Sequence, residues 1–174
     1  MSDFSWADTQ IKAQYNHAKN KGYIPFYQAA AQAHGVNVAD LMAISSRETD
    51  GNDYFVNHTG DAGHGHGLMQ IDDRSFPDFC ASNNWKDPAQ DIMLGAEVLK
   101  GKIEEAMKAL MPITNDMATI RRIAIAGYNG GTRRAVDAFK AGDDIDTHTT
   151  KHNYSADVIA RAQIFQACLD ADQI

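Results

Sequence analysis

The run from Ser45 to Ser75, SSRETDGNDYFVNHTGDAGHGHGLMQIDDRS, constrains this chain more than any other stretch. It opens at the end of an apolar, helix-like segment, VADLMAIS, that closes on Glu48. It then crosses a polar, glycine-rich segment and returns as a short apolar strand, GLMQID. Successive strand residues face opposite sides, so Leu68, Gln70 and Asp72 share one side while Met69 and Ile71 share the other. With Met69 and Ile71 in the core, Gln70 and Asp72 face an open cleft. Tyr54 to His58 supplies an antiparallel partner for this strand. Gly60, Gly63, Gly65 and Gly67 lie between them, allowing positive φ and close approach of the backbone to a ligand. The stretch therefore sets an acid at a helix end against carboxylates on a small sheet.

The remaining pattern is helical. Ser5 with Asp8 three residues on reads as a capping box for a first helix ending near Gly22. Pro25 starts a second helix that Gly35 stops, and Asn37 with Asp40 caps a third, whose Val38, Leu41, Met42 and Ser45 line one face. Glu48 falls in its last turn. There the partial negative charge of the helix carbonyl end disfavours a carboxylate, so its pKa is expected to rise. Asp87-Pro88 opens a long amphipathic helix bearing Ile92, Ala96, Leu99, Ile103, Ala106 and Leu110 and ending before Pro112. Thr114 is the expected cap of a central apolar helix, MATIRRIAIAG, in which one of Arg121 and Arg122 is exposed and the other pairs with a carboxylate at the core edge. That helix breaks at Gly130-Gly131, just after Tyr128-Asn129. A short helix and a polar, exposed loop follow over 132–152, and a last helix from about Ser155 buries Val158, Ala162, Phe165 and Leu169.

At 174 residues the chain suits one domain, able to bury about 70% of the surface its unfolded form exposes. A formal charge of −7 argues against nucleic-acid and anionic-membrane partners, which select basic surfaces. No stretch approaches the roughly 20 apolar residues of a membrane span. Met1 to Gln10 has neither a basic start nor an apolar run, so no secretory signal is read there. Cys80 and Cys168 are read as two half-buried thiols, with pairing left open. His58, His64 and His66 suggest a metal, but no carboxylate spacing completes a zinc site. Asp50 to Asp53 lacks the glutamate that closes a calcium loop. No metal or cofactor is expected.

Ser46-Arg47-Glu48, Gly60-Asp61, the glycine turn Gly63 to Gln70, Ile71-Asp72, Ala126 to Gly131 and Asn153 to Gln163 occur together and in order. This series resembles the goose-type lysozymes, relatives of the soluble lytic transglycosylases, from about Asn37 to Cys168. Residues 1–36 match less well and read as a family-variable helical portion. The resemblance implies an α+β, mainly α, lysozyme-like fold with a small antiparallel sheet beside an active-site cleft. It implies hydrolysis of the β-1,4 bond between N-acetylmuramic acid and N-acetylglucosamine in peptidoglycan strands, with Glu48 as acid and Asp72, assisted by Asp61, as base. An inverting route with that assignment needs about 6.5–9.5 Å between acid and base to hold a water. Gln70, Tyr128, Asn129 and Tyr154 are the implied substrate contacts, and His66, within the glycine turn, is a further candidate. The chain departs from many relatives at His64, His66 and Phe76, which leaves subsite preference open.

Two further readings stay in view: a transglycosylase giving 1,6-anhydro products, against which the aspartate pair argues, and a catalytically silent glycan- or partner-binding module. Chitin is a chemically close substrate. The protein is expected to be a monomer acting at the bacterial wall, delivered by a carrier, a secretion system, lysis or a removed leader. An inhibitor or immunity protein is an open class of partner.

Overall fold

A computed structural model describes residues 5–172, with side chains from 8 onward. The Ser5 cap expected for the first helix lies outside the described side chains. The elements run α1 (Ser5–Asn20), α2 (Ile24–His34), α3 (Val38–Thr49), β1 (Thr59–Gly60), β2 (Gly65–His66), β3 (Ile71–Asp72), α4 (Pro77–Ala81), α5 (Pro88–Leu110), α6 (Met117–Gly130), α7 (Thr132–Ala141) and α8 (Tyr154–Ala171). This is the mainly helical α+β class, with one three-stranded antiparallel sheet in the order β1-β2-β3. Among the described residues no helix is long and apolar enough to cross a membrane.

The chain divides into two compact units, one reaching to Ala96 and resuming at Arg161, the other spanning Glu97–Ala160. In the first, α2 packs on α3. The Asn37 side chain accepts the Asp40 amide hydrogen at 3.2 Å and starts α3, while Asp50, left-handed at φ 56°, stops it. The helix was expected to bury one face, yet every residue from Ala39 to Ser46 is buried. Small side chains at Ala39, Ala43, Ser45 and Ser46 let neighbours close in on the other faces. Burial of Leu41, Met42 and Ile44 then contributes about 1.5–3 kcal/mol each. In the second unit, Leu110, Ile120, Ile123, Ala126 and Val136 form a core over which α6 and α7 pack.

The sheet differs from the expectation. Tyr54 to His58 is not a strand: residues Asp53–Val56 make a 3-10 turn because the Asn52 side chain accepts the Tyr54 amide hydrogen at 2.9 Å. Pairing starts only at Thr59, with Gly60 opposite Gly65 and Gly65 opposite Asp72. Nor is GLMQID one strand. Gly67 at φ 74° and Gln70 at φ 50° fold it into a turn, so alternation fails and Leu68 is buried alongside Met69 and Ile71. Gln70 and Asp72 do point away from the core, half-buried, as expected.

Two further corrections concern the second unit. Asp116, not Thr114, caps α6, its carboxylate accepting the amide hydrogens of Ala118 and Thr119, while the Thr114 hydroxyl oxygen accepts from the Asp116 amide. The stretch 143–152 is not a uniformly exposed loop: Ile145, Asp146 and Thr149 are buried. Their burial follows from Asp146, whose carboxylate accepts hydrogen bonds from Ser155 and Ala156 in the first turn of α8.

Candidate active site

Glu48 stands half-buried in the last turn of α3, as its spacing from Asn37 predicts. The turn around it is tied down on two sides. Arg161, itself buried, donates from Nη1 to the Ser46 carbonyl at 3.2 Å and to Ser46 Oγ at 2.8 Å, placing a cation at the negative end of the helix. Thr49 Oγ1 reaches the Ser45 carbonyl at 3.0 Å and the Leu68 carbonyl at 3.1 Å. The second of these joins the helix end directly to the turn that carries Gln70 and Asp72.

That turn leads into the sheet. Gln70 Nε2 donates to the Gly67 carbonyl at 2.9 Å, and its amide oxygen lies across Gly60 and Gly65, where a Cβ on either glycine would collide with it. Asp72 follows, paired with Gly65. Arg74 then links the two aspartates expected to act together: Nε donates to Asp72 Oδ1 at 2.7 Å and Nη2 to Asp61 Oδ2 at 3.2 Å. Ser75 Oγ donates to Asp72 Oδ2 at 3.1 Å. Partial burial works against the charge on Asp72, but these donors together with the Arg74 amide outweigh it and hold the carboxyl below the usual range.

Beside this pair, His64 Nδ1 and His66 Nε2 approach the two oxygens of Asp73 at 2.9 and 3.4 Å. Hydrogen bonding to His64 leads in keeping the Asp73 carboxyl low. The His66 ring rests edge-on against Trp85, 5.0 Å between centroids. Of this network, His64 and His66 were singled out from sequence, while Asp73 and Arg74 were missed. The consecutive polar residues Asp72 to Ser75 were its signal. Among the described residues no group of three or more His, Cys, Asp or Glu side chains is arranged to hold a metal.

The other expected contacts belong to the second unit. Tyr128 is half-buried near the end of α6. Asn129 is exposed, and its Oδ1 accepts the Thr150 amide hydrogen at 2.8 Å, fastening the 150–152 turn to the helix end. Tyr154, expected at the cleft, is only 1% exposed, so its ring has no free face to stack on a sugar; burial at the head of α8 explains the difference. Arg122 pairs with Asp144 at 2.9 Å and Asp146 at 3.5 Å, and Arg121 and Arg122 are both half-buried, so neither is the exposed arginine that was expected. Cys80 and Cys168 are free thiols, and burial pushes Cys80 up to about 11, which leaves it unreactive.

Comparison with known proteins takes in both units. The family described as lysozyme g matches residues 7–168, beginning well ahead of Asn37, where the recognisable motifs start. The lysozyme g of Cyprinus carpio is 32% identical over 155 residues, covering 89% of this chain and 78% of its own. That of Takifugu rubripes is 28% identical over 170 residues, covering 96% and 86%. That of Dromaius novaehollandiae is 30% identical over 131 residues, covering 75% and 59%. The matched span contains Glu48, Asp61, Gln70, Asp72, Tyr128 and Tyr154 alike, and on that ground the chain belongs to the lysozyme g family.

Proposed function

We propose that the protein is a glycoside hydrolase of the muramidase type, cutting the β-1,4 bond after N-acetylmuramic acid in peptidoglycan at the bacterial wall. Glu48 delivers the proton to the leaving oxygen. Asp72, kept ionised by Arg74 and Ser75, holds and deprotonates a water, and Asp61 shares the task through the same guanidinium. A base must be charged when it acts, and the low pKa of Asp72 meets that need. Inversion is the stereochemistry that this division of labour implies. Gln70 and His66 line the sugar path in the first unit.

The observation that carries the reading is the Arg74 bridge. It places two carboxylates, far apart in sequence, around one cation on the sheet whose turn is bonded to the helix bearing Glu48. A single-glutamate transglycosylase has no use for the second and third acids.

The test is the mass of fragments released from purified peptidoglycan. Hydrolysis leaves reducing ends, whereas fragments lighter by one water would reveal 1,6-anhydro ends and reject the assignment. Glu48→Gln should lower the rate by roughly 10²-fold or more while the protein stays folded. A variant that kept most of its rate would remove Glu48 from the mechanism.

A further inference from the structure

The clearest feature that the mechanism leaves unused is Asp91, in the first turn of α5. It is fully buried, at 0% exposure. Oδ2 accepts the Met69 amide hydrogen at 2.9 Å, the Leu68 amide adds a second pull on the carboxyl, and Oδ1 is buried without a hydrogen-bond partner among the described residues. Both amides belong to the turn that carries Gln70 and leads to Asp72. The fit is close enough to dictate the neighbouring residue, because a Cβ on Gly67 would stand 2.6 Å from the carboxyl carbon and from each of its oxygens. The same helix presses further along the turn: a Cβ on Gly95 would lie 2.6 Å from Met69 Cε.

We propose that Asp91 is a positioning residue, a buried clamp that sets the height of the 67–70 turn and so the placement of Gln70 and Asp72 relative to the end of α3. Thr49 holds the turn from the helix bearing Glu48, through the Leu68 carbonyl; Asp91 holds it from α5, through the Met69 amide. The peptide group joining Leu68 to Met69 is thus gripped at its carbonyl and at its amide by side chains of two different helices. A core that needed only filling would have an apolar residue here, since an acid buried with one oxygen unsatisfied is a costly choice. What an acid adds is a planar pair of acceptors that can reach neighbouring amides. Burial is the main influence on this carboxyl, pushing it up to about 8 against the pull of the Met69 and Leu68 amides. The ionisable groups that feel its charge are Tyr27 of α2 and Cys80 of α4; burial is the larger cause in both, and both are themselves held protonated.

The catalytic consequence rests on the hydrolase reading, and the experiment separates the two. Asp91→Leu and Asp91→Asn are compared with the unaltered protein for kcat and KM on purified peptidoglycan across pH, and for hydrogen exchange of the Leu68 and Met69 amides. Asp91→Leu, which removes the acceptor at similar size, should speed both exchanges and lower kcat by roughly 10²-fold, the cost of a misplacement of about 1 Å. Asp91→Asn keeps an acceptor oxygen and cannot ionise. It should retain kcat within a few-fold and keep the Met69 amide protected from exchange. A folded Asp91→Leu with unchanged kcat and unchanged amide exchange overturns the clamp. Should that variant not fold, an Asp91→Asn protein that keeps kcat while its Met69 amide exchanges as fast as in an unfolded chain overturns it instead. An unaltered protein inactive on peptidoglycan would sink the hydrolase reading, while amide exchange would still decide the clamp.

Discussion

Asp91 in the first unit and Asp146 in the second are buried to almost the same degree, at 0% and 1% exposure, yet their surroundings move their protons in opposite directions. Burial opposes the charge on both. For Asp146 it is overcome: Ser155 donates from its amide and its hydroxyl, both at 2.7 Å, Ala156 N and Thr149 Oγ1 at 3.1 Å, and Arg122 stands at 3.5 Å, so the carboxyl lies below the usual range. Asp91 meets only two backbone amides and no cation among the described residues, and burial prevails. Depth therefore does not decide the charge state of a carboxyl. The supply of donors does. Those around Asp146 come chiefly from the first turn of α8, where helix amides lack partners of their own and the helix dipole favours an anion.

The largest effect expected from this contrast is on Asp146→Ala. It would strand the Ser155 and Ala156 amides and the Ser155 hydroxyl at the head of α8, and should cost about 3 kcal/mol or more in urea unfolding. A loss under about 1 kcal/mol would mean that water replaces the carboxylate easily and that the donor network is not what keeps it charged. Gly67→Ala should come next. The backbone there sits at φ 74° and the added Cβ would meet the Asp91 carboxyl at 2.6 Å. Strain of that kind costs about 1–3 kcal/mol, and the turn should shift with it, so activity should fall together with the urea midpoint. An alanine tolerated without loss would show that the Asp91 contact is soft.

The two aspartates should also give stability curves of opposite slope. Asp146 has a depressed native pKa, so its contribution is complete above the unfolded value of about 3.9 and disappears as pH falls through the native value. Asp91 has a raised one. The native state keeps a proton that the unfolded chain releases, so stability is fullest below about 3.9, declines as pH climbs toward about 8, and then levels off. Urea midpoints from pH 3 to pH 9 should show Asp146→Asn converging on the unaltered protein in acid, and Asp91→Asn lacking the decline toward alkali. Parallel curves for either variant would contradict the charge state assigned to it.

How far the sequence could be read depended on the range of the interaction. Glu48 in the last turn of α3 was legible, since a cap at Asn37 and one helix of ordinary length are local facts. The outward placement of Gln70 and Asp72 was legible too, but by strand alternation, which the structure does not use: positive φ at Gly67 and Gln70 makes a turn and sends Leu68 inward. Arg74 escaped notice because its pairing with Asp61 exists only once β1 and β3 flank β2 in one sheet. Asp91 was not singled out, because the macrodipole favours an acid in any first helical turn and nothing local announces a carboxyl facing inward. Tyr154 was placed at the cleft by the family resemblance, and its burial depends on what packs over the helix that it opens.

The smallest effect concerns the carboxylate that lies between these extremes, Asp72, half-exposed and held low by Arg74 and Ser75 despite partial burial. Arg74→Met would remove the guanidinium from both Asp72 and Asp61. Exposed ion pairs of this sort contribute about 0–1 kcal/mol, so the variant should melt close to the unaltered protein, and any change in activity can be assigned to charge and position. Without its cation the Asp72 carboxyl should titrate nearer its ordinary value. The acid limb of the peptidoglycan-cleavage profile should therefore move toward higher pH, with the alkaline side unaffected. An acid limb that stayed in place, with activity intact, would show that the ionisation of Asp72 does not govern the reaction at low pH, and the role of base would pass to Asp61.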